Sequence, residues 1–172
     1  TVQLRVDNRY RVRIEQPEEP GSVRKAYVIL FRSPAKVVLA GEARPAAPEL
    51  GLLEVDVEDG DPLAAIAAAA LQRTGATLGR RWLMLNLAYE PLNSGEEPFR
   101  EGIYIAEVES FLDNVPDEAY TRRTVLVRDL LAMVRRRYYA LAEPMLMSID
   151  RYLQYRAVED KEKEDKTEEV AT

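Results

Sequence analysis

Asp-Pro-Leu-Ala-Ala-Ile-Ala-Ala-Ala-Ala-Leu-Gln-Arg-Thr-Gly-Ala, residues 61–76, reads as one complete helix with both ends marked. Asp61 supplies a side-chain oxygen for the first free N–H groups, and Pro62 stands at the first helical position, where a missing N–H costs nothing. Gly75 offers the left-handed conformation that stops a helix. Leu63, Ile66, Ala67, Ala70 and Leu71 fall at i, i+3, i+4, i+7 and i+8, which predicts one stripe facing a core. The other side is mostly alanine.

Upstream of this helix the pattern is that of strands. Residues 2–6 and 10–14 alternate in polarity around Asp7-Asn8-Arg9, a hairpin whose arginines share a face. Residues 16–22 hold two prolines and read as a loop. Residues 26–31 and 37–40 are nearly continuous apolar runs, which fits adjacent strands buried on both faces. Residues 52–55 give a further short apolar run before the helix.

Downstream, residues 82–89 and 103–108 read as strands around a polar loop at 90–101. From Thr124 the period becomes helical: Val127, Leu130, Leu131, Val134 and Tyr138 share a stripe, and Pro144 opens a second helix with Leu146, Ile149 and Leu153 on one side. Residues 158–172 are charged with almost no apolar side chains, and are expected to form a disordered tail beyond a single domain at 1–157.

The order of an acidic-glycine turn (Glu58-Asp59-Gly60), Asp61-Pro62-Leu63, a helix and Leu71-x-x-Thr74-Gly75 resembles the signature of the Nudix hydrolases, particularly their ADP-ribose pyrophosphatase branch. The apolar strand pair, Arg44-Pro45 and Leu52-Leu53-Glu54 extend the likeness. The resemblance implies an α/β fold, a Nudix-like α/β/α sandwich with a mixed sheet, an N-terminal hairpin and two C-terminal helices. It also implies dimerisation through the N-terminal strands and sheet. In that family the helix carries glutamates that bind magnesium and activate water on a diphosphate. Here the matching positions are Ala68, Ala69, Gln72 and Arg73, and the Pro-Ala-Gly turn expected before the helix is missing between Val55 and Glu58.

The expectation is therefore a catalytically degenerate domain, a binding or assembly module that keeps a nucleotide-diphosphate pocket. Arg44, Arg73, Glu96 and Glu97 are its candidate binding residues, because a guanidinium can grip a diphosphate with two parallel hydrogen bonds. No metal or other cofactor is expected. The alternative is an active Nudix pyrophosphohydrolase in which Glu58, Asp59 or Glu97 is a displaced acid and Mg²⁺ is required; Glu101 belongs to the same acidic loop. Hard Mg²⁺ needs oxygen ligands, and the helix offers two methyl groups, an amide and a cation. Trp82 and Tyr89 read either as stacking platforms for a base or as core. The alanine face reads as filler of high helix propensity or as a surface for a second chain.

The 172 residues are 47% hydrophobic and 31% charged, enough for one core. With no Cys and no His, thiolate and imidazole chemistry are excluded. There is no long apolar run and no basic-plus-apolar leader, so a soluble, cytoplasmic protein is expected. Arginine outnumbers lysine 19 to 5 in the sequence, a bias that leans toward a thermophilic source. The net charge of −6 is uneven, with seven acids and three lysines in residues 159–172. Arg122, Arg123, Arg128 and Arg135 to Arg137 form a basic cluster, but late-helix arginines also complement the helix dipole, and nucleic acid is not an expected partner. A homodimer or another protein partner is.

Overall fold

The computed structural model describes residues 3–17, 22–44, 46–58, 60–93 and 95–171. Eight strands form one sheet. In chain order they are β1 (Gln3–Val6), β2 (Tyr10–Glu15), β3 (Lys25–Ser33), β4 (Lys36–Glu42), β5 (Leu53–Asp56), β6 (Ala76–Pro91), β7 (Phe99–Phe111) and β8 (Tyr120–Leu126). The helices are α1 (Pro62–Thr74), α2 (Val127–Arg137) and α3 (Ala142–Ala171), with a 3₁₀ turn at Tyr139–Leu141. The strands run β1-β2-β6-β7-β3-β4-β8, and β5 pairs with β3 off this path. Among the described residues only β3 and β7 pair in parallel; the other pairs are antiparallel, so the sheet is mixed.

β3 shows how the layers arise. Successive side chains on a strand point to opposite faces, so Tyr27, Ile29 and Phe31 enter one core and Ala26, Val28 and Leu30 the other. α2 and α3 cover the first face with Leu130, Met133, Val134, Met145, Ile149 and Tyr152. α1 covers the second with Ile66 and Ala70. The result is the α/β/α sandwich that the sequence predicts.

The ends of α1 are as read. The Asp61 Oδ1 accepts from the Leu63 N–H at 3.0 Å, and Gly75 closes the helix at φ 71°. Its roll is different. The buried stripe is Ile66, Ala70 and Thr74, Leu63 is 37% exposed, and Ala65 and Ala69 pack against the core. Alanine is small enough to let the helix lie close on the sheet. Only Ala64 and Ala68 of the alanine face look outward.

Three further readings change. β6 begins directly after Gly75, six residues before the expected strand, with polar Arg80 and Arg81 inside it. Residues 120–126 form an edge strand paired with β4, so Thr124 to Leu126 end a strand rather than start a helix; the arginines of this strand hide its alternation. Residues 158–171 continue α3 as its last turns. Arg80 of β6 holds Glu159 at 2.8 Å, and Lys163 lies one turn on from Glu159 at 3.7 Å, so charged side chains carry the helix where apolar ones are lacking. No described helix is long and apolar enough to cross a membrane.

Candidate functional site

Along one edge β3 has two successive partners, β5 at residues 25–28 and β4 at residues 30–33. β4 therefore parts from β3 beyond Val38, and the bridge between Ala40 and Gly51 holds the two sides of the opening together. The opening is a cavity of about 570 Å³, into which α1 presents Arg73 and α2 presents Arg137. Arg44, beyond the end of β4, lines it as well, opposite Glu54 and Tyr120.

Glu54 fastens this wall. Its carboxylate meets the Lys25 ammonium at 2.9 Å and accepts from the Tyr138 hydroxyl at 3.1 Å. Its backbone carbonyl accepts from Arg73 Nη1 at 2.6 Å. The Tyr138 oxygen in turn accepts the Leu52 N–H at 3.1 Å. Burial, and then the Glu54 carboxylate, push the Tyr138 phenol well above its ordinary range, so it serves as a neutral donor. The Arg73 guanidinium also lies over the Tyr120 ring, 5.3 Å from its centre.

The sequence candidates separate. Arg44 and Arg73 come together in the cavity. Glu96 is elsewhere: its carboxylate accepts from the Tyr10 hydroxyl at 2.9 Å, beside the stacked rings of Tyr89 and Phe99. Glu97 and Glu58 are exposed and are not among the cavity walls, and Asp59 lies outside the described residues, as does Pro45 after Arg44. Glu101 is 7% exposed and faces the core, accepting from Tyr27 at 3.3 Å. Tyr89 is buried against Phe99, and Trp82 packs between Tyr152 and Tyr155, so both aromatics are core.

Glu54, Tyr138, Lys25, Tyr120 and Arg137 were not candidates from sequence. Glu54 belongs to Leu52-Leu53-Glu54, yet nothing local indicates that a residue of α2's C-cap, 84 positions later, hydrogen-bonds to it. Arg137 was read within a basic run; its place at the cavity follows from the roll of α2.

No protein-family profile matches the sequence, and comparison with curated proteins finds no relative. Solved structures do match. A variant of the pyrophosphohydrolase BsRppH from Bacillus subtilis superposes with a TM-score of 0.55 at 17% identity, covering 73% of this chain and 77% of that one. A NUDIX hydrolase from Nitrosomonas europaea gives 0.51 at 15% identity, covering 72% and 85%. The chain has a Nudix fold.

The positions that the resemblance assigns to metal-binding glutamates fall on α1, where this chain has Ala68, Ala69, Gln72 and Arg73. Ala69 is packed against the core of the sheet, and Arg73 carries a positive charge tied to a carbonyl. Among the described residues no three Asp or Glu side chains gather in a way that would hold a metal ion. Hard divalent cations need such oxygen donors.

Proposed function

We propose that this chain is a catalytically degenerate Nudix-fold binding module whose cavity between β4, β5 and α1 holds a nucleotide diphosphate without cleaving it. The observation that carries the reading is the sign of the charge on the α1 wall. Arg73, Arg44 and Arg137 face a cavity of about 570 Å³, a size typical of a small-molecule pocket. Glu42 and Glu49 also line it, while Glu54 is neutralised by Lys25. Guanidinium groups grip phosphate oxygens in pairs, and an acid left beside them can accept from ribose hydroxyls. Tyr120 lines the same cavity, with Arg73 over its ring.

Titration calorimetry with ADP-ribose and ADP, with and without Mg²⁺, tests this together with chromatography of the nucleotide after incubation. The expected result is saturable, metal-independent binding with the nucleotide recovered intact. Arg44→Ala should weaken affinity about tenfold or more, the scale of a charge-assisted hydrogen bond. Metal-dependent release of a monophosphate, abolished by Glu58→Ala, Asp59→Ala or Glu97→Ala, would overturn the proposal in favour of an active pyrophosphohydrolase.

A further inference from the structure

β8 carries an arginine where its alternation calls for an apolar side chain. In the pairing of β4 with β8, Arg123 stands opposite Leu39 and Val125 opposite Val37. Side chains directly opposite each other share a face, and on this face Leu39 and Val37 enter the core beneath α2. Val125 packs there as well, whereas Arg123 is exposed. A charge is tolerated at that position because the sheet is open beside it: a groove of about 530 Å³ lies between β8 and α2.

α2 forms the opposite wall. Asp129, Ala132, Met133, Arg136 and Arg137 fall at i, i+3, i+4, i+7 and i+8, the spacing of one helix face, and all of them line the groove. Its deepest side chains are apolar, Leu39 at 6% and Met133 at 4% exposure, with Leu50 and Val125 beside them. The small side chain of Ala132 keeps the space open. Arg123 and Arg136 are both exposed, and among the described residues neither makes an ion pair, although Asp129 and Glu49 line the same groove.

A ligand that fills this space has to lay an apolar body on Leu39, Leu50, Val125 and Met133 and bring a negative group to Arg123 and Arg136. Asp129 and Glu49 favour a single negative charge over a phosphate, which carries up to about two. We propose that the groove binds a small amphiphilic carboxylate, its hydrocarbon on the apolar floor and its carboxylate on the two guanidinium groups. Guanidinium matches carboxylate oxygens in pairs, and removal of the hydrocarbon from water supplies the rest of the affinity. A membrane surface, the other source of hydrocarbon ended by an anion, is disfavoured by the net charge of −6. The groove shares Arg137 and Glu49 with the cavity beside it, but the proposal stands apart from what fills that cavity, and its own variants leave Arg44, Arg73 and Arg137 in place.

The test is titration calorimetry of the full chain with decanoate below its micellar concentration, with octanoate, decanol and acetate as comparisons. Decanoate is expected to saturate, with octanoate weaker by about fourfold for each methylene lost. Decanol should bind about tenfold or more weakly than decanoate, the scale of a hydrogen bond to a charged group, and acetate should show no binding. Arg123→Gln with Arg136→Gln should weaken decanoate about tenfold or more. Ala132→Phe, which keeps the charge and fills the groove, should abolish decanoate binding, and unchanged thermal melts of the free variants confirm that both are folded. Failure of decanoate to saturate, equal affinity for decanol, or indifference to either variant overturns the proposal. So does loss of decanoate binding in Arg44→Ala with no loss in the Arg123 and Arg136 variant, which would place the ligand in the cavity. Sedimentation with phosphatidylglycerol vesicles in place of decanoate uptake would overturn it in favour of a membrane surface.

Discussion

Glu54 and Gly51 together set the shape of the cavity wall. A Cβ on Gly51 would come within 2.8 Å of both the Tyr138 hydroxyl and Arg137 Nη1. Arginine's tip can swing aside, but the phenol is fixed by Leu52 and Glu54. Gly51→Ala is therefore expected to cost about 1–3 kcal/mol, the scale of overpacking a filled site, and to weaken nucleotide binding, read by chemical denaturation and calorimetry. Ala69 gives the converse case. By resemblance it stands where the family has a metal-binding glutamate, yet it packs on the core beside Ile66 and Ala70. Ala69→Glu should lose about 1–3 kcal/mol by forcing a carboxylate toward an apolar surface. It should create no Mg²⁺ affinity, since Arg73 remains one turn away; magnesium titration followed by calorimetry checks it.

Among the elements, α3 is the one whose attachment depends on charge. Burial alone would raise the Glu107 carboxyl, but hydrogen bonds from Arg80 and Tyr152 and the charges of Arg80 and Arg156 hold it below the ordinary glutamate value of about 4.5. Arg80 and Tyr155 hold Glu159 lower still, at about 2. Both are depressed in the folded state, so the stability they confer is present above the ordinary value and is lost as pH falls from about 4.5 toward 2. Acid should therefore free the outer part of α3 before the sheet melts. Fluorescence of Trp82, which touches Tyr152 and Tyr155, should report that step, and Glu107→Gln should reduce its pH dependence. The same element shows where sequence reading stopped short. Its inner turns declared themselves by apolar period, whereas the outer turns are held by Arg80, which precedes Glu159 by 79 positions and which no local pattern links to it.

For the whole molecule, the readable part was the set of segments with one dominant period. α1 had two marked ends, β3 and β4 were apolar on both faces, and the β1–β2 turn placed Asp7 and Asn8 at φ 54° and 55°, as a tight hairpin needs. The site was half legible. Arg44 and Arg73 could be named because they occupy motif positions, but the cavity exists only because β3 exchanges one partner for another along its length, and pairing of that kind is a long-range property. The same topology ranks the strands by stability. β3 and β7 lie inside the sheet, pair with each other and fill both cores, whereas β1, at the end of the strand order, has β2 as its one strand partner among the described residues. Local opening follows how little a segment buries and how many of its hydrogen bonds face water. Hydrogen exchange followed by mass spectrometry should thus find amides of residues 26–31 and 102–108 exchanging only at the global unfolding rate. Those of β1 should exchange orders of magnitude faster, with β2 intermediate because β6 covers its other side. Equal protection of β1 and β3 would mean that the hairpin is part of the cooperative core rather than an appendage to it.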